Sequence, residues 1–127
     1  MISLKKLSII DIGSNSIKVL ITNLNSKIYY DILCEEKVPF RMSQYMTPDQ
    51  TLSEEGSKKL IDILSYFKHL SDYHQSKTIL AIATEATRRL KNSEHILNQI
   101  NQQLNIQVEL LPGEMEAYYG YLATLHT

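Results

Sequence analysis

A short polar turn between two apolar runs near the start of the chain is the feature that most constrains its fold. The runs cover residues 7–12 and 17–24, and the turn reads Asp11-Ile12-Gly13-Ser14-Asn15-Ser16. The first run is almost continuously apolar, as in a strand buried on both faces. A strand that turns at once into another leaves a row of backbone N–H groups unpaired, and such groups can bind an anion. We therefore expect two adjacent strands with an anion site in the hairpin turn (residues 11–16).

Asp11 stands at the mouth of the hairpin turn. Its carboxylate would face a bound metal ion or an attacking water rather than the anion itself. Taken alone, the segment is more simply explained as an ordinary strand–turn–strand, because a bare Asp-x-Gly turn is common. Its interpretation therefore depends on the other motifs of the chain.

The composition is that of an ordinary globular domain. The 127 residues are 43% hydrophobic and 21% charged, with a net charge of −1, which fits a single core. This balance argues against a surface that binds nucleic acid or anionic membranes. No apolar run approaches the roughly 20 residues that span a bilayer, and Cys34 is the only cysteine, as is typical of a reducing compartment. We expect a cytoplasmic domain that binds neither nucleic acid nor membrane.

The apolar patterns in the rest of the chain predict alternating strands and helices. Ser53 is a favoured helix N-cap, and apolar residues from Leu60 to Leu70 repeat at helical spacing. Short apolar runs between polar breaks indicate strands. The predicted elements are a strand at 28–33, a polar loop at 39–51, a helix from Ser53, a strand at 78–83, a helical stretch at 85–104 with a break near Asn92, a strand at 107–111 and a helix at 114–125.

This order of elements predicts an α/β fold with a mixed five-stranded sheet. The first three strands would form an antiparallel meander, and right-handed crossovers would place the two later strands beside the first. In such a sheet, ligands bind beyond the carboxyl ends of the central strands. Asp11, Thr84 and Gly113 each follow a strand end of that kind, so we expect them to meet at one edge of the sheet.

Four motifs resemble those of the exopolyphosphatase and guanosine pentaphosphate phosphohydrolase (Ppx/GppA) family. They are DIGSNS at 11–16, LSEE at 52–55, ATEATRRLKN at 83–92 and GEMEA at 113–117. Each motif alone is weak, but together they cover nearly the whole chain in the right order. The resemblance implies a ribonuclease H-like lobe of the actin-like ATPase superfamily, with helices on both faces of the sheet.

The resemblance also implies a role for each residue of the first motif. Gly13, Ser14, Asn15 and Ser16 would bind phosphate oxygens through backbone and side-chain donors. Asp11 would lie beside the reacting phosphate and bind the metal ion, Mg²⁺.

The basic residues implied by the resemblance are Arg88 and Arg41. Arg88 matches the arginine of the family pattern Thr-x-x-x-Arg-x-x-x-Asn, whose ends are Thr84 and Asn92 here. A guanidinium can bind phosphate through two parallel hydrogen bonds. Arg89 is the alternative if the helix is rotated, and Arg41 corresponds to a basic position before the LSEE motif. Without the family match, Arg88 and Arg89 would be interpreted as solvated helix residues.

Glu116 matches the candidate catalytic acid of the family. A carboxylate can orient the water that attacks the terminal phosphorus, or accept its proton, and a helix N-terminus would keep that carboxylate ionised. Glu114, two residues earlier, would point in another direction. Without the motif match, an acidic first helical turn would explain both residues.

The chain ends at Thr127, before the second glycine-rich loop, of Asp-x-Gly-Gly-Gly type, that follows in the family. The resemblance therefore implies that residues 1–127 form one domain, the amino-terminal lobe of a two-lobed phosphatase whose second lobe is absent. We expect the isolated lobe to be inactive or nearly so, because half of the electrostatic stabilisation would be missing. An uncovered apolar face makes a homodimer a reasonable expectation.

The leading function hypothesis is a Mg²⁺-dependent hydrolase that releases orthophosphate from the end of inorganic polyphosphate or guanosine pentaphosphate. Both substrates present the same terminal phosphate, so the sequence does not choose between them. The alternative is a non-catalytic module that senses guanosine tetraphosphate, guanosine pentaphosphate or another nucleotide. A third hypothesis, the ATP-binding half of an actin-like ATPase or sugar kinase, is disfavoured by the motifs at 84–92 and 113–117.

Overall fold

Five strands and three α-helices form the part of the chain that the computed structural model describes, residues 5–24 and 30–111. A short 3-10 helix, Met42–Tyr45, lies between the third strand and the first α-helix. The elements are β1 (Lys5–Ile12), β2 (Ser16–Leu24), β3 (Tyr30–Pro39), α1 (Glu54–Tyr73), β4 (Thr78–Ala83), α2 (Glu85–Arg88), α3 (Ser93–Leu104) and β5 (Val108–Leu110).

The sheet confirms the predicted meander and the placement of the two later strands beside the first. Its strand order is β3-β2-β1-β4-β5. The pairs β1–β2 and β2–β3 are antiparallel, whereas β1–β4 and β4–β5 are parallel. The carboxyl ends of the two central strands lie side by side, with Ile12 opposite Ala83. This register brings the hairpin turn next to the residues that follow β4.

The third strand is longer than predicted. The predicted end at Leu33 is wrong, because β3 continues to Pro39 and pairs with β2 on both sides of a register shift at Leu33. Glu35 and Lys37 interrupt the apolar pattern, but both are exposed, and an edge strand accommodates charged residues since one of its edges faces solvent. Residues 28 and 29 of the prediction lie outside the described residues.

Helix α1 confirms the predicted amphipathic helix. The Ser53 hydroxyl accepts a hydrogen bond from the Gly56 N–H at 3.1 Å and so caps the first turn. On the apolar stripe, Leu60, Leu64 and Phe67 are fully buried in the core shared with the sheet. Burying each such side chain stabilises the fold by roughly 1.5–3 kcal/mol, so this stripe fixes α1 against the sheet.

The predicted break near Asn92 is confirmed, because α2 ends at Arg88 and α3 begins at Ser93. Helix α3 buries Ile96 and Ile100 and contacts α1. The helix predicted at 114–125 lies outside the described residues. The expectation of helices on both faces of the sheet depends on that helix and stays a prediction. Among the helices that are described, none has the length and apolar character needed to cross a membrane.

Candidate functional site

Backbone hydrogen bonds hold the tip of the hairpin turn in place. The carbonyl oxygens of Ser14 and Asn15 accept from the N–H groups of Met42 and Phe40, each at 3.0 Å. Within residues 5–24 and 30–111, the N–H groups of Ser14 and Asn15 donate to no protein acceptor, and both residues are exposed. The tip therefore presents two free backbone donors whose peptide groups are fixed through their carbonyls.

Gly13 contributes to the turn in a different way from Ser14 and Asn15. Its N–H donates to the Ser16 carbonyl at 3.0 Å, which closes the hairpin, so this donor is already used inside the turn. A Cβ at Gly13 would lie 3.1 Å from the same Ser16 oxygen. Glycine is favoured here because the two backbone segments approach closely.

Asp11 has a buried carboxylate oxygen without a partner. Its Oδ1 atom is inaccessible to solvent and forms no hydrogen bond among the residues that are described. Burial raises the pKa of the Asp11 carboxyl above its ordinary value, and Lys18, directly opposite on β2, lowers it to a smaller extent. Leaving a buried polar atom unpaired is unfavourable, so this oxygen is available to a ligand that supplies positive charge or a proton.

The donor type at Asp11 fits Mg²⁺. This ion prefers oxygen ligands, and one or two carboxylates often hold it together with waters and substrate phosphates. The described residues contain no cluster of three or more His, Cys, Asp or Glu side chains able to hold a metal. Asp11 would therefore supply a single protein ligand from this part of the chain.

Both candidate arginines, Arg88 at the end of α2 and Arg89 directly after it, are paired with one glutamate. Arg88 donates to Glu85 Oε2 at 2.7 Å, and Arg89 donates through Nε to Glu85 Oε1 at 3.1 Å. The side chains of Arg88 and Arg89 are 40% and 75% exposed. Ion pairs this exposed stabilise a protein by at most about 1 kcal/mol, so a multiply charged anion can displace Glu85 at little cost.

A cavity of about 430 Å³ lies beside the hairpin turn, and we call it the tip cavity. Its walls include Ser14, Asn15, Met42, Met46, Gln50 and Arg89. The structure thus brings Arg89 together with the hairpin turn at this cavity, whereas Arg88, the arginine preferred from the sequence, is not part of its walls. Arg41 is exposed beside the 3-10 helix and does not line the tip cavity either.

Asn92 has a role that the sequence pattern does not reveal. Its Oδ1 accepts from the Leu52 N–H and its Nδ2 donates to the Leu52 carbonyl, both at 3.0 Å. The side chain therefore joins the end of the ATEATRRLKN motif to the start of the LSEE motif. The only signal in the sequence was the position of Asn92 at the end of the family pattern.

Gly56 brings the LSEE helix close to the 3-10 helix. A Cβ on this residue would lie 2.5 Å from the Tyr45 Cβ and 2.9 Å from a methyl group of Leu52. These contacts, with the Asn92 hydrogen bonds, hold the segment 41–53 that forms one wall of the tip cavity. Glu116 and Gly113, the remaining predicted site residues, lie outside the described residues.

Comparison with known proteins identifies relatives of this chain. The model of the Ppx/GppA phosphatase family matches residues 20–127, so the hairpin turn precedes the matched part. Exopolyphosphatase 1 of Mycobacterium tuberculosis is 24% identical over 118 residues, which cover 93% of this chain and 34% of that protein. The guanosine-5'-triphosphate,3'-diphosphate pyrophosphatase of Aliivibrio fischeri is 29% identical over 119 residues, or 93% of this chain and 24% of that protein.

Solved structures show the same relationship. The Ppx/GppA family member of Aquifex aeolicus superposes with a TM-score of 0.87 and 29% identity over 95% of this chain. An exopolyphosphatase from Cytophaga hutchinsonii gives a TM-score of 0.83 and 26% identity over 90% of it. The chain covers only 39% and 36% of these two structures, and about a third or less of the curated relatives above.

These matches confirm the fold expected from the motifs, the ribonuclease H-like fold of the actin-like ATPase superfamily. They extend over most of the chain in sequence and in structure. The chain belongs to the Ppx/GppA phosphatase family.

Proposed function

We propose that the protein containing this chain releases orthophosphate from the end of inorganic polyphosphate or guanosine pentaphosphate, with Mg²⁺ as cofactor. The names of the relatives, an exopolyphosphatase and a guanosine-5'-triphosphate,3'-diphosphate pyrophosphatase, support this reaction class. The chain would form the first phosphate-binding lobe. Since it spans about a third of such relatives, the second half of the site would come from outside these residues.

The observation that carries the proposal is the unpaired buried Oδ1 of Asp11 at the base of the hairpin turn. Two fixed backbone donors, the N–H groups of Ser14 and Asn15, lie at the tip of the same turn. Backbone donors fixed before the substrate arrives stabilise developing negative charge without reorganising. A carboxylate and an anion-binding tip so close together would repel each other unless a cation lay between them.

In the proposed mechanism, the hairpin turn binds and orients the terminal phosphate. Arg88 and Arg89 exchange Glu85 for phosphate oxygens. Asp11 would hold Mg²⁺, which would neutralise phosphate charge. Glu116 orients the attacking water and accepts its proton as the water oxygen bonds to the terminal phosphorus, and the bridging P–O bond to the shortened substrate breaks, which releases orthophosphate. On this proposal the isolated 127-residue chain is inactive or nearly so, because the other half of the site is missing.

The test measures orthophosphate release from polyphosphate and from guanosine pentaphosphate by the full-length protein and its variants. We expect Asp11→Asn to reduce the rate by at least about 100-fold, the scale of one lost electrostatic contact. Asp62→Asn, an exposed change on α1, is the matched control. Glu116→Gln should retain substrate binding and lose turnover.

Binding of guanosine tetraphosphate by the full-length protein, with no phosphate release from either substrate, would support the sensor module instead. Near-normal turnover by Asp11→Asn would remove Asp11 from the mechanism. Turnover by the isolated 127-residue chain would overturn the two-lobe requirement.

A further inference from the structure

We propose that a groove between α1 and α3 binds an extended peptide segment of a partner protein, with basic, acidic and basic residues at alternate positions. This inference goes beyond the proposed function, because the groove contains neither the hairpin turn nor any of the candidate arginines. We call this feature, a cavity of about 400 Å³, the α1–α3 groove. Its walls include Glu54, Lys58 and Asp62 on α1 and His95, Gln99 and Gln103 on α3.

The two helices that form the α1–α3 groove run side by side in the same direction. At one end, Asn92 before α3 is hydrogen-bonded to Leu52 before α1. At the other end, Lys68 Nζ of α1 donates to the Leu104 carbonyl, where α3 ends. The lining residues from Asn92 to Gln103 rise by about 16 Å along the helix axis. This length accommodates about five residues of extended chain.

The α3 wall presents side-chain carboxamides at a spacing that suits an extended backbone. Gln99 and Gln103 both line the groove, one helical turn apart, which corresponds to a rise of about 6 Å. Neither side chain has a hydrogen-bond partner within the described part of the chain. A carboxamide offers both donors and an acceptor, and peptide groups on one edge of an extended strand repeat every two residues, about 6.6 Å. Each glutamine can therefore bind one peptide unit of such a strand.

Asn92 shows the same chemistry at one end of the groove. Its Oδ1 accepts from the Leu52 N–H and its Nδ2 donates to the Leu52 carbonyl, each at 3.0 Å. Leu52 itself pairs with Met46 in an isolated antiparallel bridge, so its backbone is extended. The groove thus already holds one extended residue through a carboxamide, and Gln99 and Gln103 continue the same face of α3.

The α1 wall determines which charges the bound segment would carry. Glu54, Lys58 and Asp62 are exposed and lie one helical turn apart. Opposite charges at this spacing often pair along a helix, but across residues 5–24 and 30–111 none of these three side chains forms an ion pair. A segment with basic, acidic and basic residues at every second position would place an opposite charge beside each of them.

The floor of the groove favours apolar side chains between those charges. Leu52 and Ile61 line the groove and are only 3% and 8% exposed. Side chains of an extended segment alternate between two faces, so the two residues between the charged ones would face this floor. Valine fits these positions, because it favours extended backbone and buries apolar surface.

The test measures the binding of two labelled peptides to the full-length protein by fluorescence anisotropy. The first, Lys-Val-Glu-Val-Lys, matches the charges of the α1 wall in both chain directions. The second, Lys-Val-Lys-Val-Glu, has the same composition but is mismatched in both directions. We expect the first to bind at least about fivefold more tightly, since each exposed charge pair contributes only modestly. Equal affinities, or no binding of the first peptide up to about 1 mM, would overturn the proposal.

Variants assign the charge preference to α1 and the backbone contacts to α3. Lys58→Glu should remove the preference for the first peptide, whereas Lys77→Glu, an exposed change outside the groove, should keep it. Gln99→Ala should weaken both peptides by the same factor, about threefold, because its carboxamide would bind backbone, and Asn98→Ala should weaken neither. A preference that survives Lys58→Glu, or a loss on Gln99→Ala that affects one peptide alone, would contradict the assigned contacts.

Discussion

The hydrogen bonds from Asn92 to Leu52 allow a quantitative prediction for Asn92→Ala. The variant loses two hydrogen bonds of 3.0 Å, each contributing about 1 kcal/mol, and leaves the Leu52 N–H and carbonyl without partners, at about 1–3 kcal/mol each if they stay dry. Leu52 is only 3% exposed. However, Leu52 and Asn92 both line a cavity of about 400 Å³ between α1 and α3, where water can reach the freed groups.

We therefore expect a loss at the low end of this range, about 2 kcal/mol in the free energy of unfolding. Urea unfolding followed by circular dichroism measures it. Asn98→Ala, an exposed change on α3, is the matched control and should alter stability by less than about 0.5 kcal/mol. A loss for Asn92→Ala no larger than that of the control would refute the reasoning that these two bonds hold the motifs together.

Three further changes have clear expected outcomes. Gly56→Ala should destabilise the protein by about 1–3 kcal/mol in urea unfolding, because its Cβ would lie 2.5 Å from the Tyr45 Cβ; unchanged stability would contradict this close contact. Ser71→Ala should cost about 1–2 kcal/mol, since the Ser71 hydroxyl donates to the buried Ser8 hydroxyl at 2.8 Å, whereas Ser65→Ala on the same helix should be nearly neutral. Asp11→Asn, measured in EDTA, should raise the melting temperature at pH 7. Burial raises the folded pKa of Asp11 above its ordinary value, so ionisation disfavours folding and the advantage of the variant should shrink as pH falls through that pKa; a lower melting temperature at pH 7 would contradict the assignment.

The fold could be predicted to a large extent because burial imposes regular patterns on the sequence. The central strands β1 and β4 are apolar runs, and the general preference for right-handed crossovers limits how such strands can be arranged in a sheet. The exception was the second half of β3. Glu35 and Lys37 resemble a polar loop locally, and only pairing with β2 makes them part of a strand. Edge strands are therefore the elements that local patterns identify least well.

The site could be predicted only in part, since its geometry depends on where short elements end. Helix α2 is four residues long, so the choice between Arg88 and Arg89 at the tip cavity depends on the turn after it and not on helical periodicity. The role of Asn92 depends on Leu52, which is 40 residues away in the chain. The predicted roles of Asp11 and Arg88 remain predictions, and Glu116 lies outside the described residues.

The pairing of one glutamate with two arginines has a consequence for selectivity. Glu85 partly neutralises Arg88 and Arg89 in the absence of ligand, so a single weakly charged anion such as chloride meets a carboxylate competitor that is already in place. An anion with several charged oxygens can contact both guanidiniums at once. The two arginines then lose only one exposed partner, Glu85. If Arg88 and Arg89 bind the substrate as proposed, this arrangement would set a minimum charge for the ligand through one acidic side chain, Glu85.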